Sequence, residues 1–135
     1  NIGKSLLSPT RTYAPIIKKV LKENKENISA IIHCTGGGQT KVLHFTESNR
    51  IIKDNLFEIP DIFKIIKNES MCSYKEMYSV FNMGHRMEIY CDKVSANSIM
   101  EISETFNVEA KVIGRVEKSE KKELIIEIEE ETIEF

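Results

Sequence analysis

The sequence predicts a single domain of the α+β class. Its 135 residues are 41% hydrophobic and 30% charged, which is typical of one domain with one hydrophobic core. Segments with apolar residues at helical intervals are interspersed, in no regular order, with short apolar runs typical of strands. Neither an internal repeat nor a long linker interrupts them. We therefore expect residues 1–135 to form one domain around a mixed sheet.

The charge is small overall but unevenly distributed along the chain. The 19 basic and 21 acidic residues give a net charge of −2. Residues 117–135 hold eight acids and three lysines, a net of −5, which leaves the first 116 residues at +3. A dedicated nucleic-acid binder needs a strong basic excess, and a membrane helix needs about 20 apolar residues. We expect neither partner, and the mildly basic body suits a small anionic ligand.

The cysteines indicate a reducing, cytoplasmic location. Cys34, Cys72 and Cys91 are widely separated, which fits neither a disulfide framework nor a clustered metal site. We predict no metal site in this chain. Because the sequence begins at Asn1 rather than Met, we expect it to be a piece of a longer polypeptide.

The first part of the chain is predicted to run helix, strand, short helix, strand. Apolar residues on one helical face predict a helix over 12–24, and a continuous apolar run predicts a strand over 28–34 with both faces covered. A short helix over 39–45 and a strand over 49–54 follow. The apolar residues of the first helix are Ile16, Ile17, Val20 and Leu21.

Two helices are predicted in the middle of the chain. The first begins at Asp61 and turns an apolar face inward. The second covers 73–80, because Ser73 and Glu76 have the spacing of a capping box. The inward residues of the first are Ile62, Phe63, Ile65 and Ile66.

The last part of the chain is predicted to contain three strands and one helix. The strand at 84–92 alternates, with Met87, Ile89 and Cys91 toward the core. Helical spacing predicts a helix over 95–106. The β-rich segments 108–117 and 123–129 are predicted to be two antiparallel strands that close the sheet.

Three consecutive glycines, Gly36–Gly38, separate the first strand from the short helix. They allow either a close approach by a ligand, with phosphate favoured at a helix N-terminus, or simply a turn with positive φ. A Walker-type Lys-Ser or Lys-Thr pair does not follow, which excludes a P-loop. His33 ends the strand, where it would either reach the same cleft and contact a phosphate or merely pack. We expect His44 and His85 to be structural or exposed.

Two other short motifs could contribute to binding. Thr10 and Arg11 supply a hydroxyl and a guanidinium ahead of a helix, which suits either a phosphate or carboxylate clamp or a cap beside a surface arginine. Asn82, Met83 and Gly84 join a helix to a strand, and Asn with a nearby Gly is typical of a sharp turn.

Taken together, four motifs resemble one family in their order and spacing. That family is phosphoribosylformylglycinamidine cyclo-ligase, also called aminoimidazole ribonucleotide synthetase, and the chain resembles its C-terminal domain. The motifs are Leu6-Leu7-Ser8-Pro9-Thr10-Arg11-Thr12-Tyr13, His33-Cys34-Thr35-Gly36-Gly37-Gly38, Glu76-Met77-Tyr78-Ser79-Val80-Phe81-Asn82-Met83-Gly84 and Val112-Ile113-Gly114-Arg115-Val116.

The resemblance implies a three-layer α/β/α domain with partly ferredoxin-like topology. It also implies an enzyme that uses ATP to convert formylglycinamidine ribonucleotide to aminoimidazole ribonucleotide in de novo purine biosynthesis. ATP and Mg²⁺ would be bound mainly by an N-terminal domain that is absent from this chain. The partners implied are a phosphorylated small-molecule substrate, that N-terminal domain and a second copy in a homodimer. The fragment alone is expected to be folded but inactive.

Candidate site residues follow from the matched motifs, while no catalytic residue is assigned. Two departures from the family pattern stand at Gln39, where many members are apolar, and at Arg86, where many have a small residue. The candidate substrate- and phosphate-binding residues are Thr10, Arg11, His33, Thr35, Gly36, Gly37, Gly38, Asn82, Met83 and Gly84.

Two other functions stay open at this point. One is a related ATP-dependent enzyme, such as the amidotransferase of the preceding purine step, a selenophosphate synthetase or a hydrogenase maturation factor. The other is a non-catalytic module that binds a phosphorylated ligand.

Overall fold

A computed structural model describes Gly3, Leu7 and residues 9–135. Leu6 and Ser8 of the first motif lie outside the described residues. The helices are α1 (Ala14–Asn24), α2 (Asp61–Ser70), α3 (Tyr74–Val80) and α4 (Lys93–Glu104), with 3₁₀ helices at Lys25–Asn27 and Gly38–His44. The strands are β1 (Ile28–His33), β2 (Asn49–Lys53), β3 (Met87–Cys91), β4 (Gly114–Lys118), β5 (Glu123–Glu127) and β6 (Thr132–Glu134). The α+β class is confirmed.

The chain divides into two compact units. The first comprises residues 1–31 and 89–112, and the second comprises residues 32–88 and 113–135. That residues 1–135 act as a single domain stays a prediction. Among the described residues, none of the helices is long and apolar enough to cross a membrane.

In the first unit, α1 and α4 share a small apolar core. Ile16 and Val20 of α1 pack with Ile99 and Ile102 of α4, as the helical spacing of both segments predicts. The predicted helix at 12–24 is confirmed, with its first residue at Ala14. The helix predicted at 95–106 begins earlier, because the Asp92 side chain accepts the amide of Ser95 and caps the first turn.

The second unit contains a mixed four-stranded sheet in the order β4-β2-β5-β6. Central β2 pairs antiparallel with β4 and parallel with β5, so that Ile51 lies opposite both Val116 and Leu124. The strands predicted in segments 108–117 and 123–129 are present as β4 and β5 and run antiparallel to each other, but β2 lies between them. β2 is mostly buried, and a buried strand needs hydrogen-bonding partners on both sides. Strand β6, which we did not predict, pairs antiparallel with β5.

β1 and β3 form a separate two-stranded sheet. The expectation that β1 is covered on both faces is wrong, because Ile32 is the buried residue of the strand while Ser29 and His33 are exposed. In β3, Ile89 and Cys91 are half-buried and pack against the core of the first unit, as the alternation predicts. Glu88, which the alternation places in solvent, is the buried residue of the strand. An ion pair described below keeps Glu88 inside.

Helix α3 begins with the predicted capping box. The Ser73 hydroxyl accepts the amide of Glu76 at 3.2 Å, and the Glu76 carboxylate accepts the amide of Ser73 at 2.8 Å. Hydrogen bonds from Ser73 to the carboxylate hold the pKa of Glu76 below its ordinary value. Helix α2 differs from expectation, because none of its residues is buried and Ile65 is 37% exposed.

Candidate functional site

The glycine turn has a conformational reason that is independent of any ligand. Gly36, Gly37 and Gly38 have φ angles of +60°, +78° and +48°, a left-handed region that residues with a Cβ adopt at a cost. The predicted short helix follows at once as the 3₁₀ helix Gly38–His44. The alternative of a turn that needs positive φ is therefore satisfied, whether or not a ligand also binds.

The exposed part of the turn presents hydrogen-bond donors. Thr35, Gly36 and Gly37 are exposed, and within residues 9–135 the amides of the two glycines bond to no acceptor. Their neighbours are already engaged: Thr40 donates its hydroxyl and amide to the Gly37 carbonyl, and the Lys41 ammonium donates to the Thr35 carbonyl at 2.8 Å. Two amides and one ammonium thus lie at the same exposed turn.

Gly38 brings the turn against the end of α3. A Cβ on Gly38 would lie 2.5 Å from the Phe81 carbonyl oxygen and 2.6 Å from that of Tyr78. Only a residue without a side chain allows this approach. As a result, the glycine turn lies beside the segment Asn82–Gly84, so the structure brings two of the predicted motifs together.

The segment Asn82–Gly84, hereafter the Asn82 turn, forms the predicted sharp turn. The Asn82 side chain accepts the amide of Gly84 at 2.9 Å, while Met83 and Gly84 have φ angles of +50° and +100°. Met83 is 1% exposed. The turn therefore places Met83 in the interior and uses the Asn82 side chain to hold its own backbone.

A buried polar network contacts the end of the glycine turn and the Asn82 turn. The Lys53 ammonium, at the end of β2, donates to the Glu88 carboxylate at 2.6 Å and to the side-chain and backbone oxygens of Gln39 at 2.7 and 3.3 Å. The Gln39 amide then donates to the Asn82 carbonyl at 2.9 Å and to the His85 carbonyl at 3.5 Å. Gln39, Lys53 and Glu88, hereafter the buried network, are each 5% exposed or less.

Two members of this network, Lys53 and Glu88, give no signal in the sequence pattern. Lys53 stands at the end of an apolar strand and Glu88 between apolar residues, where an alternating pattern places charged side chains in solvent. Gln39 stands out in the sequence only as a departure from the pattern of the family that the chain resembles. This polar residue stands directly after the glycines, where many members of that family have an apolar residue, and it is the one local signal of the network.

The glycine turn and the Asn82 turn are thus held together by shared contacts. The sequence supplies separate evidence, because residues 1–127 match the model of one protein family, AIR synthase related protein, C-terminal domain. The chain belongs to this family.

Curated proteins similar to this AIR synthase related domain are named phosphoribosylformylglycinamidine cyclo-ligase. The protein from Methanococcus maripaludis (strain C5) is 36% identical over 118 residues, 87% of this chain and 33% of that protein. The Methanocaldococcus jannaschii protein is 31% identical over 115 residues, which are 85% of this chain and 33% of that protein. The Caldicellulosiruptor bescii protein is 35% identical over 123 residues, 89% and 36%. The chain spans about a third of the length of these relatives.

Cys34, within the glycine motif of this AIR synthase related domain, is not a reactive thiol. It is 2% exposed. Burial, reinforced by the nearby Glu88 carboxylate, raises the pKa of Cys34 to about 12. Because the thiolate is the nucleophile and metal ligand, this side chain acts as a small core residue. Its amide donates to the Arg86 carbonyl at 2.9 Å, while the Arg86 side chain is exposed.

The histidines of the domain have distinct environments. His33 is exposed at the end of β1, and its carbonyl accepts the amide of Thr35 at 2.8 Å. His85 is buried and its Nε2 accepts the amide of Phe57 at 3.0 Å, while His44 is exposed. The expectation that His44 and His85 are exposed or structural is confirmed.

Thr10 and Arg11 belong to the first unit of the AIR synthase related domain, and both are exposed. The glycine turn and the Asn82 turn belong to the second. The role of Thr10 and Arg11 in binding stays a prediction.

Proposed function

We propose that this chain is the C-terminal domain of a phosphoribosylformylglycinamidine cyclo-ligase. The whole enzyme would use ATP to close the imidazole ring of aminoimidazole ribonucleotide from formylglycinamidine ribonucleotide, in the cytoplasm and as a homodimer. The observation that supports this most directly is the contact between Gly38 and the Phe81 carbonyl. It joins two motifs, separated by about forty residues of chain, that the resemblance assigns to one cleft.

The substrate phosphate is proposed to bind at the exposed part of the glycine turn. The unbonded amides of Gly36 and Gly37 would donate to phosphate oxygens, and the Lys41 ammonium would add positive charge. His33 and the Asn82 turn are proposed to complete this part of the site. Thr10 and Arg11 are proposed as further phosphate ligands on the resemblance alone.

The residues that the structure describes do not form a fitting Mg²⁺ site. Among the residues described, no group of three His, Cys, Asp or Glu side chains could hold a metal ion. We therefore assign no step through Mg²⁺ to these residues. ATP and Mg²⁺ are proposed to bind mainly in the region of the relatives that this chain does not cover, and the task of this domain is to bind and orient the phosphorylated substrate.

A chimeric enzyme tests the proposed reaction. In the Methanococcus maripaludis cyclo-ligase, the aligned third would be replaced by this chain. We expect ATP-dependent formation of aminoimidazole ribonucleotide by the chimera, and none by the same relative without that third. The truncated relative is the control, because it retains every other part. A folded chimera that binds nucleotide but does not turn over formylglycinamidine ribonucleotide contradicts the proposal and favours a non-catalytic binding module.

Titration with inorganic phosphate tests the proposed binding site. In amide NMR spectra of the 135-residue chain, we expect millimolar phosphate to shift the resonances of residues 35–38 most strongly. Lys41→Gln should weaken binding about two- to fivefold, in line with an exposed ion pair. Lys18→Gln is the control, since it also removes one lysine charge, but Lys18 is exposed and lies in the other unit. Shifts centred on another surface, or equal effects of the two variants, would leave the glycines with a turn-forming role only.

A further inference from the structure

We infer that Gln39 is a positioning residue, which the buried Lys53–Glu88 pair holds in place so that the glycine turn and the Asn82 turn keep a fixed relative position. The inference rests on the proposed function only for the consequence that this position sets substrate affinity. The link between the two turns is a property of the second unit alone.

The hydrogen bonds of the buried network assign each group one role. The Lys53 ammonium has three protons and three acceptors: Glu88 Oε1, Gln39 Oε1 and the Gln39 carbonyl. Two of these acceptors belong to one residue, so Lys53 fixes both the backbone and the side chain of Gln39. Glu88 balances the charge in an environment where an unpaired ammonium would be strongly disfavoured.

The Gln39 side chain in turn reaches the second turn. Its Nε2 donates to the Asn82 carbonyl at 2.9 Å and to the His85 carbonyl at 3.5 Å. Gln39 directly follows the three left-handed glycines, and glycine has more backbone freedom than any other residue type. One side chain thus anchors the C-terminal end of the glycine turn to the backbone of the Asn82 turn.

Stability alone does not account for a charged network at this place. Removing a lysine and a glutamate from water is costly, and apolar pairs of similar volume commonly replace buried ion pairs without loss of stability. A hydrogen-bonded network differs from an apolar core in that it permits one arrangement of its groups. Fixing the geometry of the two turns is a role that apolar packing would perform less well.

Variants separate a positioning role from a structural one. The double substitution Lys53→Met/Glu88→Leu removes both charges together and leaves neither charge buried alone. Gln39→Met keeps the ion pair but removes the amide that links the turns, together with the side-chain acceptor of Lys53. Arg50→Gln/Glu123→Gln is the control, because it removes the 3.0 Å ion pair between β2 and β5 and does not touch the buried network. Urea unfolding, hydrogen exchange of the amides at 36–40 and 82–85, and the Kd for inorganic phosphate would be measured for each 135-residue variant.

We expect the double variant and Gln39→Met to unfold cooperatively, to exchange the amides of both turns faster, and to bind phosphate about tenfold more weakly. The control pair should leave all of these properties near wild type. Cooperative unfolding with unchanged exchange in both turns would overturn the inference and leave the network with a structural role. If the double variant does not fold, Gln39→Glu decides between the positioning role and the structural role. Its side chain keeps an acceptor for Lys53 but loses the hydrogen bonds that the Gln39 amide donates to the Asn82 and His85 carbonyls.

The experiments distinguish a failure of the proposed function from a failure of the positioning inference. If wild type itself binds no phosphate, or the chimeric enzyme does not turn over, the proposed function fails. Faster exchange at both turns in the variants would still support the positioning role. If wild type binds phosphate and the variants bind it equally well, the positioning inference fails while the proposed site stands.

Discussion

Gly114→Ala is expected to destabilise the second unit by about 3 kcal/mol or more, a large part of the 5–15 kcal/mol typical of a domain. A Cβ at Gly114 would overlap the carbonyl oxygen of Ile52 and lie 2.9 Å from Lys53 Cα. These are backbone atoms of β2, the central strand of the sheet, and cannot move aside as a flexible side chain would. Strands β2 and β4 would have to separate at the end where Lys53 pairs with Gly114.

Urea unfolding of Gly114→Ala beside Val116→Ala measures this effect. Val116 lies on the same strand and is 50% exposed, so its truncation should cost less than about 1 kcal/mol. A loss of 3 kcal/mol corresponds to a midpoint lower by about 1–3 M urea. Equal midpoints for the two variants would show that β4 relaxes around the extra methyl group and that the close approach is not required.

Gly38→Ala is expected to destabilise the chain by about 2–4 kcal/mol, through backbone overlap and a left-handed φ together. The new Cβ would lie 2.5 Å from the Phe81 carbonyl oxygen and 2.6 Å from that of Tyr78. Either the glycine turn or the end of α3 must shift. Because the two motifs meet at this contact, the variant should also alter the proposed phosphate site.

Gly36→Ala is a closely matched control for this prediction. Gly36 has a similar φ of +60°, but nothing lies within 4 Å of the position its Cβ would take. Its substitution should cost only the left-handed backbone strain, about 1 kcal/mol. The difference between the two urea midpoints therefore isolates the overlap with α3. If both variants lose the same stability, the contact with α3 contributes nothing and the glycines serve φ alone.

The positions of the helices could be predicted because their determinants are local. Ser73 and Glu76 lie three residues apart and form their capping box within one turn, and the apolar stripe of α1 repeats over a few residues. The glycine turn is local in the same sense. Three successive residues with left-handed φ strongly favour glycine, so three consecutive glycines in the sequence predict a turn at this place.

Strand partners and the buried network could not be predicted in this way. The short segment between β4 and β5 is compatible with a hairpin, and only the insertion of β2 between the two strands excludes one. Alternation in β3 correctly places Ile89 and Cys91 against the core, but it also places Glu88 in solvent, and Glu88 is buried. Its partner Lys53 is 35 residues away, and no local pattern carries information about that pairing.

The α+β class, the helices, the cap of α3, the glycine and Asn82 turns, and the family resemblance all follow from the sequence. All of these depend on residues near one another in the chain or on motifs of fixed spacing. The strand order, the burial of Lys53 and Glu88, and the contact between the two turns are visible only in the folded structure. These depend on pairings between distant residues, where the burial of one polar group is tolerated only because another supplies its hydrogen bonds.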